Sequence, residues 1–285
     1  MSKVAAIVVL YNPDWEVLEN IKSYINQVDI LFAVDNSAPV INKTILDQIL
    51  LFDHVRYICN HTNLGIAAAL NIGAQKAVNE GFEYLLTMDQ DSIATPNMVE
   101  KLIECCSGNE FIGLAAPEHL TSFSLNCNLR EKIYENESVV MTSGNIINLA
   151  AFNKTGGYNE KLFIDYVDYD YCIRLKENNY QIVRVKNAVL FHNVGKLAEK
   201  KIGFKKVYPT NHNPIRLYYQ TRNRFYLRSI YKNKYSSFFK DDLISFRNNL
   251  IKILLFEEKK IAKLKMIIKG YKDYRKHKFG KYQEK

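Results

Sequence analysis

Little in this 285-residue chain points to export or to covalent staples. Its five cysteines (Cys59, Cys105, Cys106, Cys127, Cys172) are odd in number and include no Cys-x-x-C pair. That argues against a disulfide framework and a zinc site, and fits a reducing compartment. The N-terminus lacks a basic region followed by an apolar stretch and a cleavage site, so no signal peptide is expected. No run approaches the ~20 apolar residues that a membrane-spanning helix needs. Internal repeats and low-complexity segments are missing. So is a Gly-rich phosphate loop near the N-terminus, where Leu10-Tyr-Asn-Pro13 stands instead. The body also lacks an excess of charge. Of the net +9, residues 232–285 carry sixteen Lys+Arg against six Asp+Glu, which leaves 23 basic and 24 acidic groups in the first 231 residues. With a slightly acidic body and no base-reading motif, nucleic acid is not an expected partner. What remains, 47% hydrophobic and 24% charged, is the balance of a globular chain.

The apolar runs alternate with helical spacing. Val4 to Tyr11 reads as a central parallel strand covered on both faces. Trp15 to Val28 has helical periodicity, Ile30 to Val34 is a second strand ending on Asp35, and Thr44 to Phe52 a second helix. Val55 to Cys59 is a third strand. Asn63 is expected to cap an alanine-rich helix that runs to about Glu80 and stops at Gly81. Tyr84 to Met88 is a fourth strand. This order predicts a doubly wound α/β sheet. Beyond it the spacing predicts a helix over 96–106, strands at 112–116 and 139–142, and short helices at 150–154 and 168–178. Strand-like runs follow at 182–185 and 188–191, and 120–136 reads as a mobile surface loop.

The organising stretch is Met88-Asp89-Gln90-Asp91-Ser92. Two carboxylates at the C-terminal edge of a parallel strand lie where open α/β sheets bind ligands. They are a usual way to hold Mg²⁺ or Mn²⁺ against substrate phosphates. The plainer alternative is a polar turn in which Asp91 or Ser92 caps the next helix. Asp165-Tyr-Val-Asp168-Tyr-Asp170 sets three carboxylates in six residues. It reads either as a source of a general base, by mutual repulsion or burial, or as an acidic helix start. His192, after a strand, is either hydrogen-bonded in a turn or a further metal ligand. Arg222 and Arg224 are either phosphate-binding forks or the basic face of a helix.

Taken in order, these pieces resemble family 2 glycosyltransferases of the GT-A fold, and within them the bacterial rhamnosyltransferase group. The matching segments are Val8-Val-Leu-Tyr-Asn-Pro13, Val34-Asp-Asn-Ser37, Asn63-Leu-Gly65, Met88 to Ser92, and Thr142-Ser-Gly144. After them come Gly156-Gly-Tyr-Asn-Glu160, Leu162 through Arg174, His192 to Gly195, and Arg222-Asn-Arg224. They span about residues 4 to 228. The resemblance implies a Rossmann-like, mostly parallel sheet flanked by helices, with a C-terminal helical extension. It implies donor contacts from Tyr11, Asp35 (to a pyrimidine base), Asn63, Asp89, Gly144 and Arg222. A divalent cation, Mg²⁺ or Mn²⁺, would be held by Asp91, Asp89 and His192. Asp168 aligns with the family's base. Many relatives have Glu-Asp where this chain has Val167-Asp168, which keeps Asp165 as the alternative.

The implied activity is inverting transfer of a sugar, L-rhamnose from dTDP-L-rhamnose, onto a cell-surface polysaccharide such as O antigen or a lipid-linked glycan. The alternatives are a UDP-hexose donor or a non-catalytic nucleotide- or sugar-binding module. Residues 1–231 are expected to form the catalytic domain and 232–285 a basic amphipathic helical tail. That tail suits an anionic membrane surface, which would make the protein cytoplasmic and peripheral on the inner face of the cell membrane. Packing of the tail on the catalytic domain is the competing reading.

Overall fold

The computed structural model describes residues 2–120, 134–192, 200–202 and 205–284, with residues 192, 200–202 and 205–206 described by backbone alone. The chain forms two compact units, one of residues 1–160 and 167–193, the other of residues 161–166 and 194–285. The expected boundary at 231 and 232 therefore falls inside the second unit.

The first unit is built on β1 (Val4–Leu10), β2 (Ile30–Asp35), β3 (Val55–Cys59), β4 (Tyr84–Asp89), β5 (Ser92–Ala94), β6 (Ile112–Leu120), β7 (Tyr134–Asn136), β8 (Asn145–Asn148) and β9 (Gln181–His192). All seven residues of β1 are buried, as its unbroken apolar run requires. The sheet runs β3-β2-β1-β4-β8-β6-β9-β5, with β7 also on β9. From β3 to β4 it is parallel, as expected. Beyond β4 it is mixed: β8 is antiparallel to β4 and β6, and β5 and β7 are antiparallel to β9, while β6 and β9 are parallel. The expectation of a mostly parallel sheet holds for the first half only.

Around this sheet lie α1 (Glu16–Lys22), α2 (Lys43–Ile49), α3 (Ile66–Asn79), α4 (Met98–Cys106), α5 (Leu149–Thr155) and α6 (Val167–Glu177). The alanines of α3 allow close approach: Ala67, Ala69, Ala74 and Ala77 are buried, and a Cβ on Gly73 would collide with Ile7. α3 ends as predicted, with Gly81 at φ +75° and Phe82 N–H donating to Ala77 O. Its start differs. Gly65 is the N-cap, and Asn63 Oδ1 instead accepts from Gly65 N–H, at 2.9 Å.

Several expectations are corrected. The helix over 15–28 stops at Lys22, where Ser23 Oγ donates back to Asn20 O and accepts Ala94 N–H. Ser92 starts a strand and not a helix. The strand expected at 139–142 forms instead after Gly144, as β8. One 12-residue strand, β9, replaces two short ones. Of the loop expected over 120–136, residues 121–133 lie outside the described residues, and 134–136 form β7.

The second unit holds the loop 161–166, a hairpin of β10 (Lys200–Ile202) and β11 (Lys205–Val207), and three helices. These are α7 (Pro214–Tyr231), α8 (Ser236–Phe256) and α9 (Lys260–Arg275). Leu217, Ile253 and Ile267 bring one face of each helix together. A Cβ on Gly270 would meet Tyr218 O, so α9 packs backbone-close on α7. The predicted amphipathic helices in the basic tail are thus present. No helix among the described residues is long and apolar enough to cross a membrane.

Candidate active site

Register gathers three loops at one edge of the sheet in the first unit. Leu10 pairs with Asp35 and Val9 with Asp89, so Tyr11, Asp35 and Gln90 all follow from adjacent parallel strands. On the far side, Ser92 pairs with His192, which brings Asp91 to the end of β9. The His192 side chain lies outside the described residues.

Gln90 and Ser143 fix the Asp-Gln-Asp turn. Gln90 Oε1 accepts Tyr11 N–H (2.8 Å), and Gln90 Nε2 donates to Tyr11 O (3.2 Å). Gln90 O accepts from Asn20 Nδ2 at 2.8 Å. Ser143 Oγ accepts Asp89 N–H (3.0 Å) and donates to buried Ser92 Oγ (2.9 Å), so one hydroxyl holds both ends of the turn. Asp89 is half-buried and Asp91 exposed. The sequence pattern contains Gln90 and Ser143 but assigns neither a role of its own. The polar pair Ser143-Gly144 beside an apolar run was the available signal.

Gly144 has two reasons to be glycine. Its φ is +81°, and an added Cβ would lie 2.7 Å from Pro117 Cγ and 2.9 Å from Leu190 Cδ2. Its N–H donates to Thr87 O at 2.7 Å, anchoring the turn to β4.

Asp35 is 1% exposed. Its carboxylate accepts Ser37 N–H (2.9 Å), Ile41 N–H (3.1 Å) and Tyr57 O–H (2.6 Å). Burial opposes its charge, but the hydrogen bonds from Tyr57, Ser37 and Ile41 outweigh it and hold the carboxyl below its ordinary value. Burial, and then the bond to the Asp35 carboxylate, raise the Tyr57 hydroxyl. Asp35 therefore organises the loop after β2. That loop reaches α3, because Asn36 Nδ2 donates to Asn63 Oδ1 (3.1 Å) and Asn36 Oδ1 accepts Leu64 N–H (2.9 Å).

The three carboxylates of 165–170 separate. Asp170 is buried and bound to Arg174 Nε at 2.7 Å, one helical turn on. Asp168 is half-buried in the first turn of α6, and its Oδ1 accepts Tyr169 N–H at 2.9 Å. Asp165 belongs to the second unit, where it pairs with Arg216 at 3.2 Å.

Arg222 departs from the expected diphosphate contact. It is 0% exposed, and its guanidinium donates to Asn223 Oδ1 and to the carbonyls of Gly280, Lys161 and Leu162. The amphipathic-face alternative fails too, since Arg222, Asn223 and Arg224 are all buried.

Among the described residues no three His, Cys, Asp or Glu side chains form a metal cluster. The donor set at this edge still suits a hard cation. Mg²⁺ and Mn²⁺ are commonly held by one or two carboxylates, with substrate phosphate and water completing the shell. Asp89 and Asp91 are hard oxygen donors one residue apart.

Comparison with known proteins agrees with this architecture. The profile of glycosyl transferase family 2 matches residues 5–115. Over 246 residues the chain is 31% identical to a dTDP-rhamnosyl transferase, RfbF, of Shigella flexneri, covering 79% of this chain and 80% of that protein. It is also 31% identical over 113 residues to an uncharacterized glycosyltransferase of Haemophilus influenzae, 38% of this chain and 34% of that one. Among solved structures it resembles GalNAc-T7 with UDP, GalNAc and Mn²⁺ (TM-score 0.62, 15% identity, 96% of this chain and 56% of that one). It also resembles TarS 1-349 of S. aureus (TM-score 0.52, 13% identity, 96% of this chain and 71% of that one). The fold is GT-A. The chain belongs to glycosyl transferase family 2, in its bacterial rhamnosyltransferase group, and is a glycosyltransferase.

Proposed function

We propose that this enzyme transfers L-rhamnose from dTDP-L-rhamnose, with inversion, to a hydroxyl of a cell-surface polysaccharide or lipid-linked glycan. The observation that carries the reading is the Asp89-Gln90-Asp91 turn, locked by Ser143 and Gln90 at the sheet edge where Tyr11 and Asp35 also end. The likeness to a dTDP-rhamnosyl transferase over most of both chains supports the donor.

In this mechanism the loop ordered by Asp35 receives the thymine ring, with Tyr11 and Asn63 beside it. Asp89 and Asp91 orient the ribose and diphosphate and would hold a Mg²⁺ or Mn²⁺ ion, with His192 the further ligand that the family resemblance implies. When bound, the cation neutralises charge on the departing diphosphate. Gly144, whose missing side chain makes way for Pro117 and Leu190 and not for substrate, shapes the turn beside Asp89. Asp168 takes the proton of the acceptor hydroxyl as its oxygen attacks the anomeric carbon and the bond to the diphosphate breaks. A positioned base of this kind contributes about 10²–10⁴ in rate. Asp165, engaged by Arg216, is the weaker choice.

The test is a panel of dTDP-rhamnose, UDP-glucose, UDP-galactose and UDP-N-acetylglucosamine, each with Mn²⁺, with Mg²⁺ and with chelator, read by thermal midpoint and by transfer. A donor that binds only the folded state raises the midpoint. A cation-dependent rise confined to dTDP-rhamnose is expected; a rise with UDP-sugars alone would overturn the donor assignment.

A further inference from the structure

Arg222 and Asn223 are both 0% exposed, and both donate to carbonyls of the loop 161–166. Asn223 Nδ2 donates to the carbonyls of Leu162 (2.9 Å), Ile164 (2.8 Å) and Asp165 (2.9 Å). Arg222 Nη2 donates to Lys161 O (3.1 Å) and Leu162 O (2.9 Å). Arg222 Nε donates to Asn223 Oδ1 (3.0 Å), which sets the orientation of the amide.

The loop needs such support. Phe163, Asp165 and Tyr166 lie at φ 66°, 62° and 66°, a region that bulky residues enter only under constraint. Each has its own anchor in the same unit. The Phe163 ring stacks on Tyr219, with centroids 4.9 Å apart and planes at 16°. Asp165 pairs with Arg216. Tyr166 O–H donates to Asp242 (2.6 Å), which also accepts from Arg224 Nε (2.8 Å).

The end of the chain closes the device. Arg222 Nη1 donates to Gly280 O (2.6 Å), Gly280 N–H to Lys161 O (2.9 Å), and Tyr282 N–H to Tyr219 Oη (2.7 Å). The Arg222 guanidinium lies 5.4, 5.0 and 5.8 Å from the rings of Tyr218, Tyr219 and Phe279.

The chain leaves the first unit after Glu160 and returns at Val167, so these six residues fold with the second unit and run directly into the helix that carries Asp168. We propose that Arg222 and Asn223, closed by Gly280 and Tyr282, are positioning residues for sugar transfer. They hold Phe163, Asp165 and Tyr166 at positive φ and so fix the backbone that runs into Val167. The inference rests on the proposed role of Asp168. Neither residue touches substrate; both act through the loop.

Asn223→Ala and the isosteric Asn223→Asp, which lacks the N–H donors, test this in the full-length enzyme. The readouts are kcat, donor and acceptor KM, donor Kd by calorimetry, and hydrogen exchange of amides 162–166. Misplaced catalytic geometry costs up to about 100-fold, so kcat is expected to fall at least about tenfold with donor Kd within about twofold. Exchange over 162–166 is expected to rise at least about tenfold. Wild-type kcat in either folded variant overturns the proposal. So does a loss of donor affinity in step with kcat, which marks general destabilisation. If Asn223→Ala does not fold, Asn223→Asp carries the same readouts, and full activity there would assign Asn223 to packing alone. A wild-type enzyme inactive with every donor would overturn the transferase reading instead, and the exchange data would still decide whether the clamp exists.

Discussion

The side-chain amide of Gln90 pairs with both backbone polar groups of Tyr11, accepting its N–H and donating to its carbonyl. A side chain thus does what a neighbouring strand would do, and joins the loop after β1 to the turn that carries Asp89 and Asp91. The bonds are solvent-accessible, so losing them costs little stability, about 0.5–1.5 kcal/mol each at most. Their effect lies in geometry. Gln90→Ala is expected to leave the thermal midpoint almost unmoved and to lower kcat/KM about tenfold or more. Gln90→Glu keeps the acceptor, sets an oxygen against Tyr11 O and adds a charge between two aspartates. It should be worse than alanine. Equal activity of Gln90→Ala and wild type would remove the pairing from the working site.

Ser143 and Gly144 act by burial and space. Ser143→Ala removes the acceptor of Asp89 N–H and the donor to buried Ser92 Oγ. Each lost hydrogen bond costs about 0.5–1.5 kcal/mol, which urea unfolding would read directly. Gly144→Ala adds a methyl into Pro117 and Leu190 at a positive φ. Left-handed backbone alone costs about 1–3 kcal/mol for a residue with a side chain, so this variant should be the less stable of the two and the less active. Wild-type stability of Gly144→Ala would mean that the turn relaxes freely.

The parallel half of the sheet was legible because its strands are continuous apolar runs, and a run such as Val4 to Leu10 has no other way to bury both faces. The Asp-Gln-Asp turn was legible for the same reason, since it ends such a run. β8 was not. Its four residues, Asn145–Asn148, carry polar ends, and the stronger apolar signal just before Gly144 drew the prediction to the wrong side of the turn. Arg222 was misread because a guanidinium says nothing about which way it faces. Its acceptors, the carbonyls of 161, 162 and 280, lie some sixty residues away in both directions, beyond any local pattern.

Asp168 and Asp165 differ enough to be separated by one substitution each. Asp168→Asn keeps the side chain's shape in the first turn of α6 and removes its basicity. Donor binding should persist while kcat falls at least about 100-fold. Asp165→Asn loses a half-exposed pair with Arg216, worth about 0.2–1 kcal/mol. Asparagine tolerates the left-handed conformation at that position, so kcat should change by less than about fivefold. The reverse ranking would hand the base role to Asp165.

The C-terminal helices have a packed face and an open one. Leu217, Ile253 and Ile267 meet inside the second unit. Outside, α8 exposes Ile244, Ile251, Leu254 and Leu255 at helical spacing, and α9 exposes Ile261 and Ile268 among Lys265 and Lys272. Apolar groups flanked by lysines suit an anionic bilayer, each basic residue near it contributing about 1 kcal/mol. The protein is expected to sediment with phosphatidylglycerol vesicles at low salt and to be released by high salt. Ile261→Asp with Ile268→Asp should weaken sedimentation without changing the thermal midpoint. Sedimentation equal to that with neutral vesicles would remove the electrostatic part of this reading.

Asp35 predicts a pH dependence with a definite sign. Its folded-state carboxyl is held below the ordinary value, because the bonds from Tyr57, Ser37 and Ile41 outweigh burial. A depressed carboxyl contributes stability that is fully present above the unfolded value, about 3.9, and is lost as pH falls through the folded one. Asp35→Asn removes that contribution. It also turns an N–H₂ toward groups that all donate, the amides of Ser37 and Ile41 and the Tyr57 hydroxyl. At pH 7 the variant should therefore be less stable than wild type, by about 1–3 kcal/mol. Because wild type loses its advantage on protonation, the two urea midpoints should converge as pH is lowered below about 4. A gap that stays constant from pH 7 down through that range would mean that Asp35 holds its loop by shape and not by charge.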